Sequence, residues 1–115
     1  HVDDAQRDVL LAAATVQLLP SVKEGWGLVV LEAAAQGTPT IGYRSSGGLR
    51  ESVHDGVTGW LAEDLDDLVA LTRSVLNGSL PLAATSDAAR AWAGTLDWDN
   101  SARAFEHVLE KARAT

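Results

Sequence analysis

Apolar and polar positions fall in alternating blocks along this chain. In "DDAQRDVLLAAA", Val9, Leu10, Ala13 and Ala14 recur on one face at helical spacing, and Asp3 or Asp4 stands where a cap belongs. "TVQLLP" is short, rich in Val and Leu, and stopped by Pro20, which predicts a strand. A second helix is expected from about Gly27 to Gln36, with Gly37 as its C-cap and Pro39 beyond. "TPTIGY" reads as a second strand, "RSSGG" as a loop, and "LRESVHDG" as a short helix ended by Gly56. Gly59 reads as a turn residue within a third short strand, "TGWLAE".

The segment "DLDDLVALTRSVLNG" carries a stripe of Leu65, Leu68, Val69, Thr72, Val75 and Leu76, the pattern of an amphipathic helix. "SLPLAATS" reads as a linker. Two helices are then expected, from about Asp87 to Ala93 and from about Asn100 to Ala112, with Asp97 or Asp99 capping the second. Strands separated by crossover helices pair in parallel. The expectation is an α/β layered sheet of three parallel strands with crossover helices and two C-terminal helices.

Length changes this picture little: 115 residues allow one domain. Hydrophobic residues make up 46%, an ordinary globular value. Charge narrows it more. Nine basic against 16 acidic residues give a net −7, which argues against a nucleic-acid partner or a membrane-surface role for this segment. With no cysteine there is no disulfide framework or thiolate metal site, and the default expectation is a cytoplasmic protein. No run of about 18 apolar residues suggests a membrane span. "HVDDAQRD" lacks the basic and apolar regions of a signal peptide.

The candidate chemistry lies in "KEGWGLVVLEAAAQG". Glu24 sits in a Gly-rich turn directly after a strand, and Glu32 sits inside the helix that follows. In open parallel sheets ligands bind at the carboxyl ends of strands, and the N–H groups of a helix N-terminus attract anions. Gly25 and Gly27 permit close approach, or simply the tight turn. On an otherwise aliphatic helix Glu32 needs a partner or water, since an unpaired buried carboxylate is costly. The plain alternative makes Glu32 and Gln36 a narrow solvent stripe. Lys23 and Arg44 flank the strands. Either could reach a phosphate, with surface solvation the default. His54 reads as solvated, and Trp60, Trp92 and Trp98 as core or docking residues. For Gly47 and Gly48 in "SSGG", turn formation is the simpler account.

Two glutamates eight positions apart, with the flanking "PS", "GTP", "GG" and "DGVTG", resemble the retaining GT-B glycosyltransferases of family 4, the glycosyl transferases group 1. The resemblance runs through the C-terminal "LDWDNSARAF". It implies the second half of a Rossmann-like, nucleotide-sugar-binding domain. It also implies that residues matching Glu24 meet hydroxyls of the transferred sugar, which makes Glu24 the candidate catalytic residue. No covalent nucleophile is implied. Glu32 would meet the ribose hydroxyls. The backbone of Gly25, Trp26, Gly27, Leu28 and Val29 would line the sugar and diphosphate. A carboxylate, which only accepts, suits a pair of vicinal hydroxyls.

The family implies no cofactor and no bound metal. It further implies an N-terminal acceptor domain and a first donor half-domain with a basic diphosphate clamp, neither of which is in this sequence, and it allows a membrane-surface acceptor in the parent enzyme. The segment is therefore expected to bind donor weakly, not to catalyse transfer alone, and to self-associate through the strand edge at "TVQLLP" or by swapping helices at the C-terminus. A non-catalytic nucleotide-binding or assembly module reusing the half-fold is the alternative.

Overall fold

Asp3 opens the first helix. Its carboxylate accepts the Gln6 N–H at 2.7 Å, and Gln6 Oε1 accepts the Asp3 N–H at 3.1 Å, a reciprocal capping box. The computed structural model of the chain describes residues 3–21, 27–96 and 98–114. Helix α1 spans Asp4–Ala13, and strand β1 follows at Gln17–Leu19. Helix α2, Leu28–Ala35, ends in a Schellman motif: the Thr38 N–H bonds to Ala33 O and the Gly37 N–H to Ala34 O, each at 2.9 Å. Gly37, at φ 77°, supplies the left-handed residue which that ending needs.

Strand β2 (Thr40–Tyr43), helix α3 (Leu49–Ser52), strand β3 (Gly59–Ala62) and helices α4 (Leu65–Leu76), α5 (Leu82–Ala93) and α6 (Trp98–Ala114) complete the order. The three strands form one parallel sheet in the order β1-β2-β3. Leu18 pairs with Ile41 and Ile41 with Trp60, so these three share a face. Side chains alternate across the sheet, and the core is accordingly double. Ile41, Trp60 and Ala62 pack with Leu68 and Val75 of α4 on one side. Leu61 packs with Val30 of α2, Leu49 of α3 and Val53 on the other. α5 lies against α2 and β3.

The expected α/β class, three parallel strands and two C-terminal helices stand, while several details differ. The face of α1 bearing Val9 and Leu10 is exposed, Val9 at 69%, because α1 meets α2 through Arg7 instead. α3 stops at Ser52, so Gly56 is no helix cap. It is the positive-φ residue of a turn, where its N–H bonds to Gly59 O at 2.8 Å. Gly59 is the first residue of β3 rather than a turn residue. In α4 the inward stripe is Leu68, Leu71 and Val75, and Leu65, Val69 and Leu76 are exposed.

The expected linker is mostly helix. α5 starts at Leu82, right after Pro81, whose carbonyl accepts both the N–H and the hydroxyl of Thr85. α6 begins at Trp98, so Asp99 lies inside the helix and is not its cap. Asp97 lies outside the described residues.

Candidate functional site

Because all three strands are parallel, their carboxyl ends, and the segments that leave them, gather on one rim of the sheet. The segment after β1 enters α2 through Gly27, which is buried and adopts the left-handed conformation, φ 84° and ψ 55°. A Cβ there would lie 2.9 Å from Ser52 Oγ and 3.1 Å from Leu49 Cδ2, so both backbone angle and space demand glycine. The N-cap residue, Gly27, has no side chain to cap α2, and the Val30 N–H turns back to Gly27 O at 2.9 Å. The first N–H groups of any helix lack intrahelical acceptors, and at α2 these belong to Leu28 and Val29. Both side chains are open, Leu28 at 66%. The mouth of α2 thus combines amides without intrahelical acceptors, no acidic residue in the first turn and an aliphatic rim.

Glu32 stands one turn inside, on the same side of α2 as Leu28. It is neither a fully solvated residue nor an unpaired one: its carboxylate is half-buried, and its Oε1 lies 3.4 Å from Arg7 Nη1. Part of the partner that the sequence leaves to ligand and water is therefore supplied by α1. The same guanidinium is held by its own helix, with Nη2 3.2 Å from Asp8 Oδ1 and Nη1 3.3 Å from Asp4 Oδ1. Burial pulls the Arg7 pKa down, but the hydrogen bond to Asp8 and the charges of Glu32, Asp4 and Asp8 outweigh it and leave it raised. Arg7 has no signal in the sequence. It is one of four charged residues between Asp3 and Asp8, and only the fold brings it to Glu32.

The other rim segments carry their own chemistry. Arg44, at the end of β2, donates from Nε to Glu63 at 2.7 Å and from Nη2 to Asp55 at 2.6 Å, while its N–H bonds to Ala62 O at 2.9 Å. Asp55 in turn accepts the Leu61 N–H at 3.0 Å. Arg44 is therefore surface-exposed, as expected, and it also forms a clasp joining the carboxyl ends of β2 and β3. Hydrogen bonds to Glu63 and Asp55 raise the Arg44 pKa against a smaller opposing effect of burial.

In the loop that follows, Ser46 is fully buried. Its Oγ has no hydrogen-bond partner among the described residues, a feature with no signature in "RSSGG". His54 is exposed and meets Trp92 of α5 edge-on, ring centroids 5.2 Å apart. Trp60 is a core residue.

Of the sequence-predicted site residues, Gly27, Leu28, Val29 and Glu32 therefore line one helix start. Glu24, Gly25 and Trp26, with Lys23, lie outside the described residues. Among the described residues no group of three or more His, Asp or Glu side chains is placed to hold a metal ion, and no helix is long and apolar enough to cross a membrane.

Comparison with known proteins places this geometry in a lineage. The chain is 42% identical over 99 residues to D-inositol 3-phosphate glycosyltransferase of Mycobacterium avium (strain 104), a match covering 84% of this chain and 23% of that protein. It is 38% identical over 116 residues to glycogen synthase of Mycobacterium tuberculosis (strain ATCC 25618 / H37Rv), covering 98% of this chain and 28% of that one. The chain thus spans about a quarter of the length of these curated relatives.

Its fold superposes on the crystal structure of Anabaena Alr3699/HepE in complex with UDP and glucose with a TM-score of 0.81 at 24% identity, over 96% of this chain and 30% of that one. It also superposes on the GtfA/B complex with a TM-score of 0.80 at 21% identity, over 100% of this chain and 24% of that one. At such identities the likeness establishes the shared architecture, that of GT-B glycosyltransferases. The family description that matches residues 1–92 is glycosyl transferases group 1, and the chain belongs to that family.

Proposed function

We propose that the chain is the second half of the donor-binding domain of a retaining family 4 glycosyltransferase, which moves a sugar from a nucleoside diphosphate sugar to an acceptor. The observation that carries this reading is the start of α2. There a left-handed Gly27, which has no side chain to cap with, opens α2, and a half-buried carboxylate, Glu32, stands one turn inside.

Charge decides how an elongated anionic donor would lie. Its diphosphate belongs at the helix mouth, where N–H groups and the positive end of the dipole favour anions. Carboxylates repel phosphates and so take the neutral hydroxyls. Glu32 then accepts from the ribose, and Glu24 accepts from hydroxyls of the transferred sugar. The amides of Gly25 to Val29 line the space between. On this reading no metal or cofactor is required, and the protein acts in the cytoplasm.

Transfer needs an oriented acceptor beside the donor in one cleft. The parent enzyme would provide that with an acceptor domain and a basic diphosphate clamp, and with either a soluble or a membrane-surface acceptor. The segment alone binds donor weakly and does not turn over.

Calorimetric titration of the parent protein with UDP, GDP, ADP and their sugars tests the reading. One nucleotide series is expected to bind, and Glu32→Ala to weaken it at least about tenfold, as loss of a hydrogen bond to a charged group does. A parent protein indifferent to every nucleotide would instead be an assembly module that reuses the half-fold.

A further inference from the structure

Arg7 is tied to its own helix on two sides. Asp8 Oδ1 faces both its Nε, at 3.4 Å, and its Nη2, at 3.2 Å, and Asp4 faces its Nη1 at 3.3 Å. The capping box at Asp3 fixes the turn from which the arginine projects. A guanidinium is planar and rigid, so anchoring one edge of it aims the rest. Here the aim is across the α1–α2 contact, at Glu32 Oε1, 3.4 Å away. Both side chains are 35% exposed.

A long carboxylate side chain on a helix surface otherwise samples several rotamers, and ordering it at the moment of binding costs affinity. A carboxylate has about four lone-pair sites. One contact to Arg7 through Oε1 therefore fixes the group and leaves capacity for a pair of vicinal hydroxyls.

We propose that Arg7 is a positioning residue for sugar recognition: through its ion pair it holds the Glu32 carboxylate in the orientation that receives the ribose hydroxyls of the nucleotide. The inference rests on the ribose role of Glu32 given above. It adds that α1, a helix with no other role in the site, determines how well this protein distinguishes ribose from a sugar lacking those hydroxyls.

The test is a ratio, because a loss of folded protein or a change in net charge weakens all nucleotides alike. The parent protein, carrying each substitution in this segment, is titrated calorimetrically with UDP, GDP and ADP and with the 2′,3′-dideoxy form of each, at concentrations reaching the millimolar range. In the native parent protein the best-bound ribonucleotide is expected to exceed its dideoxy form by about tenfold, the worth of one charge-assisted hydrogen bond.

Arg7→Gln is expected to bring that ratio close to one, and Arg7→Lys, which keeps the charge but lacks the planar group that Asp8 and Asp4 anchor, to hold only part of it. In the Glu32→Gln background Arg7→Gln is expected to change nothing further. Arg7→Met, which keeps the aliphatic stem, serves if the Gln variant does not fold. A native ratio retained in both Arg7→Gln and Arg7→Met overturns the positioning role and leaves the ribose role of Glu32 standing. A native parent protein that binds nucleotides without preferring ribose, or binds none, overturns the ribose role itself and this inference with it.

Discussion

Gly27 and Ser52 meet where α2 passes α3, so closely that a methyl group on Gly27 would sit 2.9 Å from the Ser52 hydroxyl oxygen. The contact joins the candidate ligand mouth to a helix that follows the next strand, and it leaves no room for any other residue at position 27. Gly27→Ala combines a left-handed backbone with that close approach. It is expected to lose about 1–3 kcal/mol of stability, the usual cost of local strain, measured as a lower urea midpoint. The same variant should bind nucleotide less well, because the helix start must move to relieve the contact.

Leu49 ties the same corner together from within. It is fully buried and approaches both Gly27 and Gly42, where an added Cβ would lie 2.5 Å from Leu49 Cδ1. Leu49→Ala opens a cavity between α2 and β2 and is expected to cost about 2–5 kcal/mol. Chemical denaturation reads this directly. A change much below that range would mean the corner collapses to fill the space.

Breaking the Arg44 clasp has a different signature. Arg44→Gln is expected to lower the urea midpoint, and added salt should lower the native midpoint more than that of the variant, since exposed pairs are screened. Asp55 and Glu63 raise the pKa of the guanidinium. Its stabilisation is therefore complete below the ordinary arginine range and is lost only as pH rises through the raised value. Stability from this source should be flat from neutral to moderately alkaline pH, which a urea series at several pH values checks.

Ser46 offers the opposite sign. A buried hydroxyl without a partner carries a desolvation cost of about 1–3 kcal/mol, and Ser46 Oγ is the one such side-chain atom among the described residues. Ser46→Ala is expected to leave stability unchanged or to raise it by up to about 1 kcal/mol. A clear loss in a melting experiment would reveal a partner for that hydroxyl in solution.

The open strand β1 makes a prediction about assembly. It is an edge of the sheet, and Leu18 is 45% exposed on the face it shares with Ile41. Edges of this kind recruit other chains. Light scattering of the segment is expected to show concentration-dependent self-association that Leu18→Lys reduces, and a strict monomer at high concentration counts against it.

Local chemistry made much of this legible in the sequence. α2 could be bounded because Gly27 and Gly37 are both left-handed and both are glycine. The strands could be found because Pro20, Pro39 and the "DGVTG" turn punctuate them. The first part of α5 was hidden because Pro81 and the small residues after it resemble a linker, although proline is also a helix-start residue. The apolar stripe of α1 misled because its inward contact is made by a charge. Arg7 and Glu32 are far apart in the chain, as are Arg44 and Glu63, and nothing local marks either pair. The candidate site was therefore visible as a motif, while the groups that brace it were visible only in the fold.

The register of the sheet also bears on how the molecule comes to exist. Gln17 pairs with Thr40, and Thr40 with Gly59, so each closure spans an entire crossover and no two strands can form a hairpin first. Loop entropy is spent before any ladder bond returns it. The rim is therefore expected to form only once the crossovers carrying α2 and α3 have closed. A cut anywhere in the crossovers would abolish the rim rather than trim it, so limited proteolysis should leave either the whole sheet or none of it.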